Sequence, residues 1–364
     1  MPTTLPGAAS ALEAIEALAG AGLPAGELLV EASRRIDRVV PSDGHFMAAT
    51  DPQTTLCIGA GVVMDLPEDQ CAPTWDYEFL VPDYLKFADI AASGRAVADL
   101  HEATGGRPER SARWREYSAA TGFRAELRSA FTLDGAMWGM AQFDRLGDSP
   151  RFTDVEKAWL ECVAPILARG LRRAMVSGPA SGPAARGPGL VLMDEAGAVV
   201  SASREAEAWL AELDVMLGWA AGEVIPLPFE VHAYAATVRA ASRDGAEGEV
   251  PRGRLRTRSG LWLLVHGSLM PQTGQLALII EPAKAADVAP LIVEAYGLRP
   301  RELDVTRLIA RGLGTSQIAA ELHLSPHTVR DHVKAVFEKV GVSSRGELVA
   351  RVFADHYAPV AHAV

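Results

Sequence analysis

Apolar positions recur at helical spacing in "PAGELLVEASRRIDRVV", through Leu28, Leu29, Ala32 and Ile36. "HFMAATD" and "TTLCIGAGVV" read instead as strands. In "RAELRSAFTLDGAMWGMAQFDR" two β-rich runs flank Asp134-Gly135, a two-residue hairpin turn that puts Leu127, Phe131 and Leu133 on one face. "FTDVEKAWLECVAPILARGLRRAM" returns to the helical period. Thr153 and Glu156 form a capping-box pair, Val155, Trp159, Cys162, Val163 and Ile166 make an apolar stripe, and Pro165 is expected to bend the helix. The stretch between Trp75 and Trp114 shows no clear period.

A second set of strands follows. "GLVLMDEAGAVVSAS" predicts two strands turning at Glu195 to Gly197, and "REAEAWLAEL" a helix. "GRLRTRSGLWLLVHGSLM" and "GQLALIIEP" predict three more strands, the first pair turning at Ser259-Gly260. No helix is recognisable between Leu213 and Arg252. Glycine and proline separate the two sets in "VSGPASGPAARGPG", Val176 to Gly189, and a second joint is expected at "EPAKAADVAP".

The C-terminal pattern is sharper. "LRPRELDVTRLIARGLG" predicts a helix with Leu303, Thr306, Leu308 and Ile309 inward, released by Gly312 and Gly314. Thr315 is placed to cap a second helix with Ile318, Ala319 and Leu322 on its inner face. Ser325 caps a third, Pro326 opens it, and Val329, Val333, Val336 and Val340 face inward. His327, Arg330, Asp331 and Lys334 lie on the opposite face. A short helix, a tight turn and a capped helix with polar residues in its first turns make a helix-turn-helix, which offers side chains to the edges of bases in a major groove.

Charge sharpens this reading modestly. The chain of 364 residues carries a net charge of −11, yet Leu298 to Asp355 holds nine Lys/Arg and seven Asp/Glu, a net of +2. Acidic bulk repels nucleic acid while a positive end can still hold it. The length suits two or three domains. No apolar run is long enough to span a membrane, and the N-terminus lacks a basic flank before an apolar core, so neither a membrane partner nor a secretory signal is expected. Cys57, Cys71 and Cys162 are scattered, and His45 and His101 stand alone; no metal site or cofactor is implied. The chain contains no G-x-x-x-x-G-K-[ST], G-x-S-x-G or H-E-x-x-H pattern, which argues against an enzyme.

Residues 298–353, with "RPRE", "IARGL", "IAAEL", "LSPHTVRDHV" and "KVGVSSR", resemble the LuxR-type helix-turn-helix of bacterial regulators. The resemblance implies an all-α four-helix module, over residues 294–358, that binds double-stranded DNA. Its last helix, about Ser344 to Asp355, is implied to pair two subunits into a homodimer. Residues 23–175 run helix, strands, irregular middle, hairpin, helix, an α+β order similar to a GAF sensor domain. Residues 190–282 resemble an α+β PAS domain, with 176–189 as the linker between them. The expectation is a multidomain, cytoplasmic transcriptional regulator with a sensory front. Its rivals are an interaction scaffold with a vestigial DNA module, or an enzyme fused to one. Candidate DNA contacts are Thr315, Ser316, Ser325, His327, Thr328, Arg330, Asp331 and Lys334. Trp75, Tyr77, Phe79, Tyr84 and Trp114 are candidate walls for a small-molecule effector in the GAF-like domain, with ordinary core packing as the alternative.

Overall fold

A computed structural model of the chain describes residues 5–65, 71–120, 122–176, 186–213, 227–243 and 252–354. Most of the Gly/Pro-rich linker and residues 355–358 of the last block lie outside them. The first block runs α1 (Ala8–Gly20), α2 (Ala25–Asp37), β1 (Gly44–Thr50), β2 (Cys57–Met64), α3 (Cys71–Phe79), α4 (Phe87–Ala92), β3 (Val97–Asp99), α5 (Leu100–Ala103), β4 (Phe123–Leu133), β5 (Ala136–Leu146) and α6 (Asp154–Met175). The second runs β6 (Gly189–Met193), β7 (Val199–Ala202), α7 (Arg204–Leu210), α8 (Phe229–Arg243), β8 (Gly253–Arg256), β9 (Trp262–Leu269) and β10 (Leu276–Pro282). Then come α9 (Ala285–Ala295), α10 (Pro300–Ala310), α11 (Thr315–Leu322), α12 (Pro326–Val340) and α13 (Arg345–Val349).

Each block holds one five-stranded antiparallel sheet, ordered β2-β1-β5-β4-β3 and β7-β6-β10-β9-β8. Counted within its own block, the order is the same in both. The architecture is therefore two α+β units and one helical unit, as the sequence pattern predicts.

The β4–β5 hairpin turns where expected. Asp134 and Gly135 both take positive φ, 54° and 83°, the geometry whose twist suits a two-residue hairpin. Alternation then sorts the side chains. Leu127 and Phe131 join the core under α1, α2 and α6, while Glu126 and Arg128 point to the other face. α6 begins in a capping box: Thr153 Oγ1 accepts from the Glu156 N–H, and Glu156 Oε2 accepts from the Thr153 N–H at 2.7 Å. The helix continues past Pro165 to Met175. Its buried stripe is rotated from the predicted one. Leu160, Ala164, Leu167, Ala168 and Leu171 are buried beside Trp159 and Val163, whereas Cys162 is exposed. Cys162 fits the helical period equally well from sequence, and only the contact with the sheet selects between neighbouring faces.

The middle that showed no period holds the short helices α3, α4 and α5, and three more helices depart from the expected plan. α1, ahead of Leu23, packs on α6, where Trp159 Nε1 donates to the Ala8 carbonyl at 3.0 Å. α8 occupies a stretch with no recognisable helical pattern. It is apolar on two sides, because Val231, Tyr234 and Val238 enter the second block's core and Phe229, Ala233 and Ala236 enter the first block's. A helix buried on both sides loses the amphipathic period by which it would be found. The second expected joint is α9, whose Val288, Leu291, Ile292 and Ala295 belong to the same apolar core as α6 and α10.

The two blocks also meet along the sheet edges. Gly59, in β2, has φ 99°, and a Cβ there would lie 2.9 Å from the carbonyl oxygen of Arg256, the last residue of β8. Arg254 Nη1 reaches the buried Asp51 carboxylate at 2.6 Å, and Arg256 Nη1 donates to the Ala174 carbonyl. The remaining edges, β3 and β7, have three and four residues.

Candidate nucleic-acid interface

α10, α11 and α12 pack around Val305, Leu308, Ile309, Ile318, Ala319, Val329, Val336 and Val340, all buried. Val333 and Leu322 are half-buried at the margin. Each helix end has a local cause. α10 opens with Pro300 at its first position, and the Glu302 carboxylate accepts from the Arg299 N–H at 2.7 Å. Burial alone would raise the Glu302 carboxyl, but hydrogen bonds from Lys339 and the Arg299 N–H hold it below its ordinary range. The Lys339–Glu302 pair, 2.6 Å, ties the end of α12 to the start of α10.

α11 begins differently from the sequence expectation. Its N-cap is Gly314, whose N–H donates to Gln317 Oε1 at 2.8 Å; Thr315 is already the first helical residue. The Thr315 hydroxyl instead accepts from Arg345 Nη2 at 2.9 Å, while Arg345 Nη1 donates to the Leu313 carbonyl. An arginine thirty residues away thus fixes the α10–α11 turn to the start of α13. His323 closes α11 in the left-handed region, φ 54°. Ser325 caps α12, its Oγ accepting from the Thr328 N–H at 3.1 Å, with Pro326 in the first turn.

This packing leaves one side of α12 open. His327, Arg330, Asp331 and Lys334 are exposed, as are Ser316 and Ser325; Thr315 and Thr328 are half-buried. The side chains on this face also meet one another. His327 Nδ1 lies 2.9 Å from Asp331, Lys334 lies 3.9 Å from Glu338, and Arg330 Nε donates to the Pro326 carbonyl. Surface pairs of this kind contribute about 0–1 kcal/mol, so they leave the cations available to a stronger anion. The other basic residues of the module do different work. Lys339 and Arg345 are internal clamps, which a charge count cannot distinguish from a surface that reads DNA. Glu338, the partner of Lys334, was missed, although its i, i+4 spacing gives it away.

The proposed effector residues are not gathered round one cavity. Trp75 is buried, stacked on Phe79 at 5.8 Å and met edge-on by Phe229 of α8 at 4.3 Å. Buried ion pairs, Arg113 to Glu126 and Asp83, and Arg128 to Glu78, occupy the same side of the first sheet. Tyr77 donates to Glu116, and the Tyr84 carbonyl faces Arg113. Phe79 lines one surface groove and Trp114 another. Cys57 is buried and its thiol is pushed well up by burial. Among the described residues no cluster of His, Cys, Asp and Glu is arranged to hold a metal, and no helix is long and apolar enough to cross a membrane.

Residues 297–352 match the family described as bacterial regulatory proteins, luxR family. The probable transcriptional regulatory protein NarL of Mycobacterium tuberculosis is 45% identical over 67 residues, 18% of this chain and 28% of that protein. The transcriptional regulatory protein UhpA of Escherichia coli is 46% identical over 56 residues, 15% of this chain and 29% of its own length. The matched stretch thus spans less than a third of either regulator. A GAF domain from a phosphoenolpyruvate-protein phosphotransferase of Coxiella burnetii aligns with 44% of this chain and 90% of its own, at 18% identity and a TM-score of 0.28.

Proposed function

We propose, from the luxR-type character of residues 297–352, that this chain is a cytoplasmic, sequence-specific DNA-binding regulator of transcription whose output is set by the blocks ahead of α9. The observation that carries the reading is the open face of α12. A helix capped by Ser325, with its valines inward, presents His327, Arg330, Asp331 and Lys334 from its first turns, the part of a recognition helix that meets base edges. Arg330 is assigned to a base, where a guanidinium forks onto guanine; Lys334 is assigned to phosphate; Asp331 accepts from cytosine or orients His327. Ser316, Ser325 and Thr328 stand at helix starts, where hydroxyls and N–H groups hold phosphate oxygens. Two subunits bind two half-sites in this reading. Leu348 and Val352 are buried inside the module, so pairing through the last helix uses its outer side, with Gly346, Ala350 and Arg351. The chain itself performs no catalysis.

A second reading has an observation in its favour. The pairs His327–Asp331 and Lys334–Glu338 leave the face nearly neutral, which also suits a protein-binding module. A gel shift of the full chain against its own upstream DNA, with random DNA as competitor, separates the two. The regulator reading predicts a specificity ratio that survives at physiological salt, and equal binding to both DNAs contradicts it. On the specific site, Arg330→Ala is expected to cost about 1–3 kcal/mol and relax preference at one base pair. Lys334→Ala lowers affinity evenly across sequences and reduces the salt slope by about 1. If both variants bind like the parent, this face does not read DNA.

A further inference from the structure

A cavity of about 360 Å³ opens at the end of the β4–β5 hairpin remote from its turn, where β4 begins and β5 has ended. Its walls are His101 of α5, Pro108, Trp114 and Ala119, the first residues of β4, and Gly147 and Arg151 beyond β5. Two features mark it as a candidate site.

The first is its charge. Arg124 and Arg151 both line it, both are exposed, and neither has an ion-pair partner among the described residues. No carboxylate lines the wall, in a chain whose net charge is −11. Two guanidinium groups on the wall of one cavity favour an anion there. Behind the wall, His101 Nδ1 and Trp114 Nε1 are closed to solvent and have no hydrogen-bond partner. Burial, and then Arg151, lower the His101 pKa against the opposing pull of Asp99 and Glu109, with Arg124 adding to the lowering, which favours a neutral imidazole. The second is backbone form. Trp114–Ser118 is a π-helical turn, a rare conformation that recurs at binding sites.

We infer that this cavity is a binding site for a small aromatic carboxylate: Arg124 and Arg151 hold the carboxylate, and the ring lies against Trp114, Pro108 and Phe123. The volume falls in the range of small-molecule sites, and apolar walls with a few convergent polar groups are their usual construction. Arg151 stands two residues before Thr153, the N-cap of α6, and the other end of α6 shares a core with α9. A ligand here therefore touches the root of the helix on which the DNA module's connecting helix rests. The inference does not depend on the DNA reading, because binding is read without DNA.

The test is isothermal titration of the full chain with benzoate, alongside benzamide and inorganic phosphate. Saturable benzoate binding is expected, with little from benzamide, which lacks the charge, or from phosphate, which lacks the ring. Arg124→Ala and Arg151→Ala should each weaken it by about tenfold or more, the scale of a lost charge-assisted hydrogen bond. Both side chains are exposed, so these variants are expected to keep the parent's unfolding midpoint, and Arg151→Lys should restore part of the affinity. Absence of saturable benzoate binding overturns the inference, as does binding that ignores both arginine substitutions. Equal binding of benzamide overturns the role of the charge, and equal binding of phosphate overturns the role of the ring.

Discussion

Asp144 shows how much a single residue's surroundings decide. It is 1% exposed on β5, with Gln142 Nε2 donating to Oδ2 at 2.9 Å and no partner for Oδ1. Burial, and then the Glu126 carboxylate beside it, push its pKa well up. The folded state therefore keeps its proton to higher pH than the unfolded chain does. Stability falls as pH rises from the ordinary carboxylate range through the raised folded value, by about 1.4 kcal/mol for each unit separating the two. Asp144→Asn removes that loss. Thermal unfolding at pH 5 and pH 8 is expected to show the variant gaining on the parent at the higher pH; a difference that stays constant with pH contradicts this. None of it was legible in the sequence, where Asp144 is one polar residue in an alternating strand. Gln142 is on its own strand, but the charges that matter, Glu126 and Arg128 of β4 and Arg113, come from elsewhere, and no local pattern announces them. Arg330 and Lys334 were legible, because their places follow from one cap and one helical period.

At the scale of elements, what could be read from sequence was whatever a local rule specifies. The Asp134-Gly135 hairpin, the Thr153–Glu156 box and the Ser325-Pro326 helix start all appear in their predicted places. What failed depends on a partner. Thr315 looked like a cap until Arg345 engaged its hydroxyl and Gln317 took up the N–H of Gly314. α8 was invisible because two cores share it. That sharing makes a sharp prediction. Phe229, from the second block, meets Phe46 and Trp75 of the first at ring-centroid distances of 5.5 and 4.3 Å. Phe229→Ala leaves a hole between them, with an expected loss of about 3–5 kcal/mol. Denaturant unfolding measures it, and a loss below about 1 kcal/mol would mean that α8 does not hold the first block.

The whole molecule is more tightly joined than three separate beads. One apolar core runs from α1 and α6 through α9 into the helical module, α8 lies between the two sheets, and Arg254 reaches across to Asp51. Scanning calorimetry of the full chain is expected to give one main transition, or strongly overlapping ones; three well-separated transitions would show that these junctions are weak. In the proposed reading, the same joining links the front blocks to the DNA module through α9. The sheet margins carry one more consequence. β2 lies against β8, and the two margins left over are stubs of three and four residues. Those stubs offer a stray chain little ladder to dock on, so fibrillar accretion would have to start at β2 or β8, where the two sheets crowd each other without pairing.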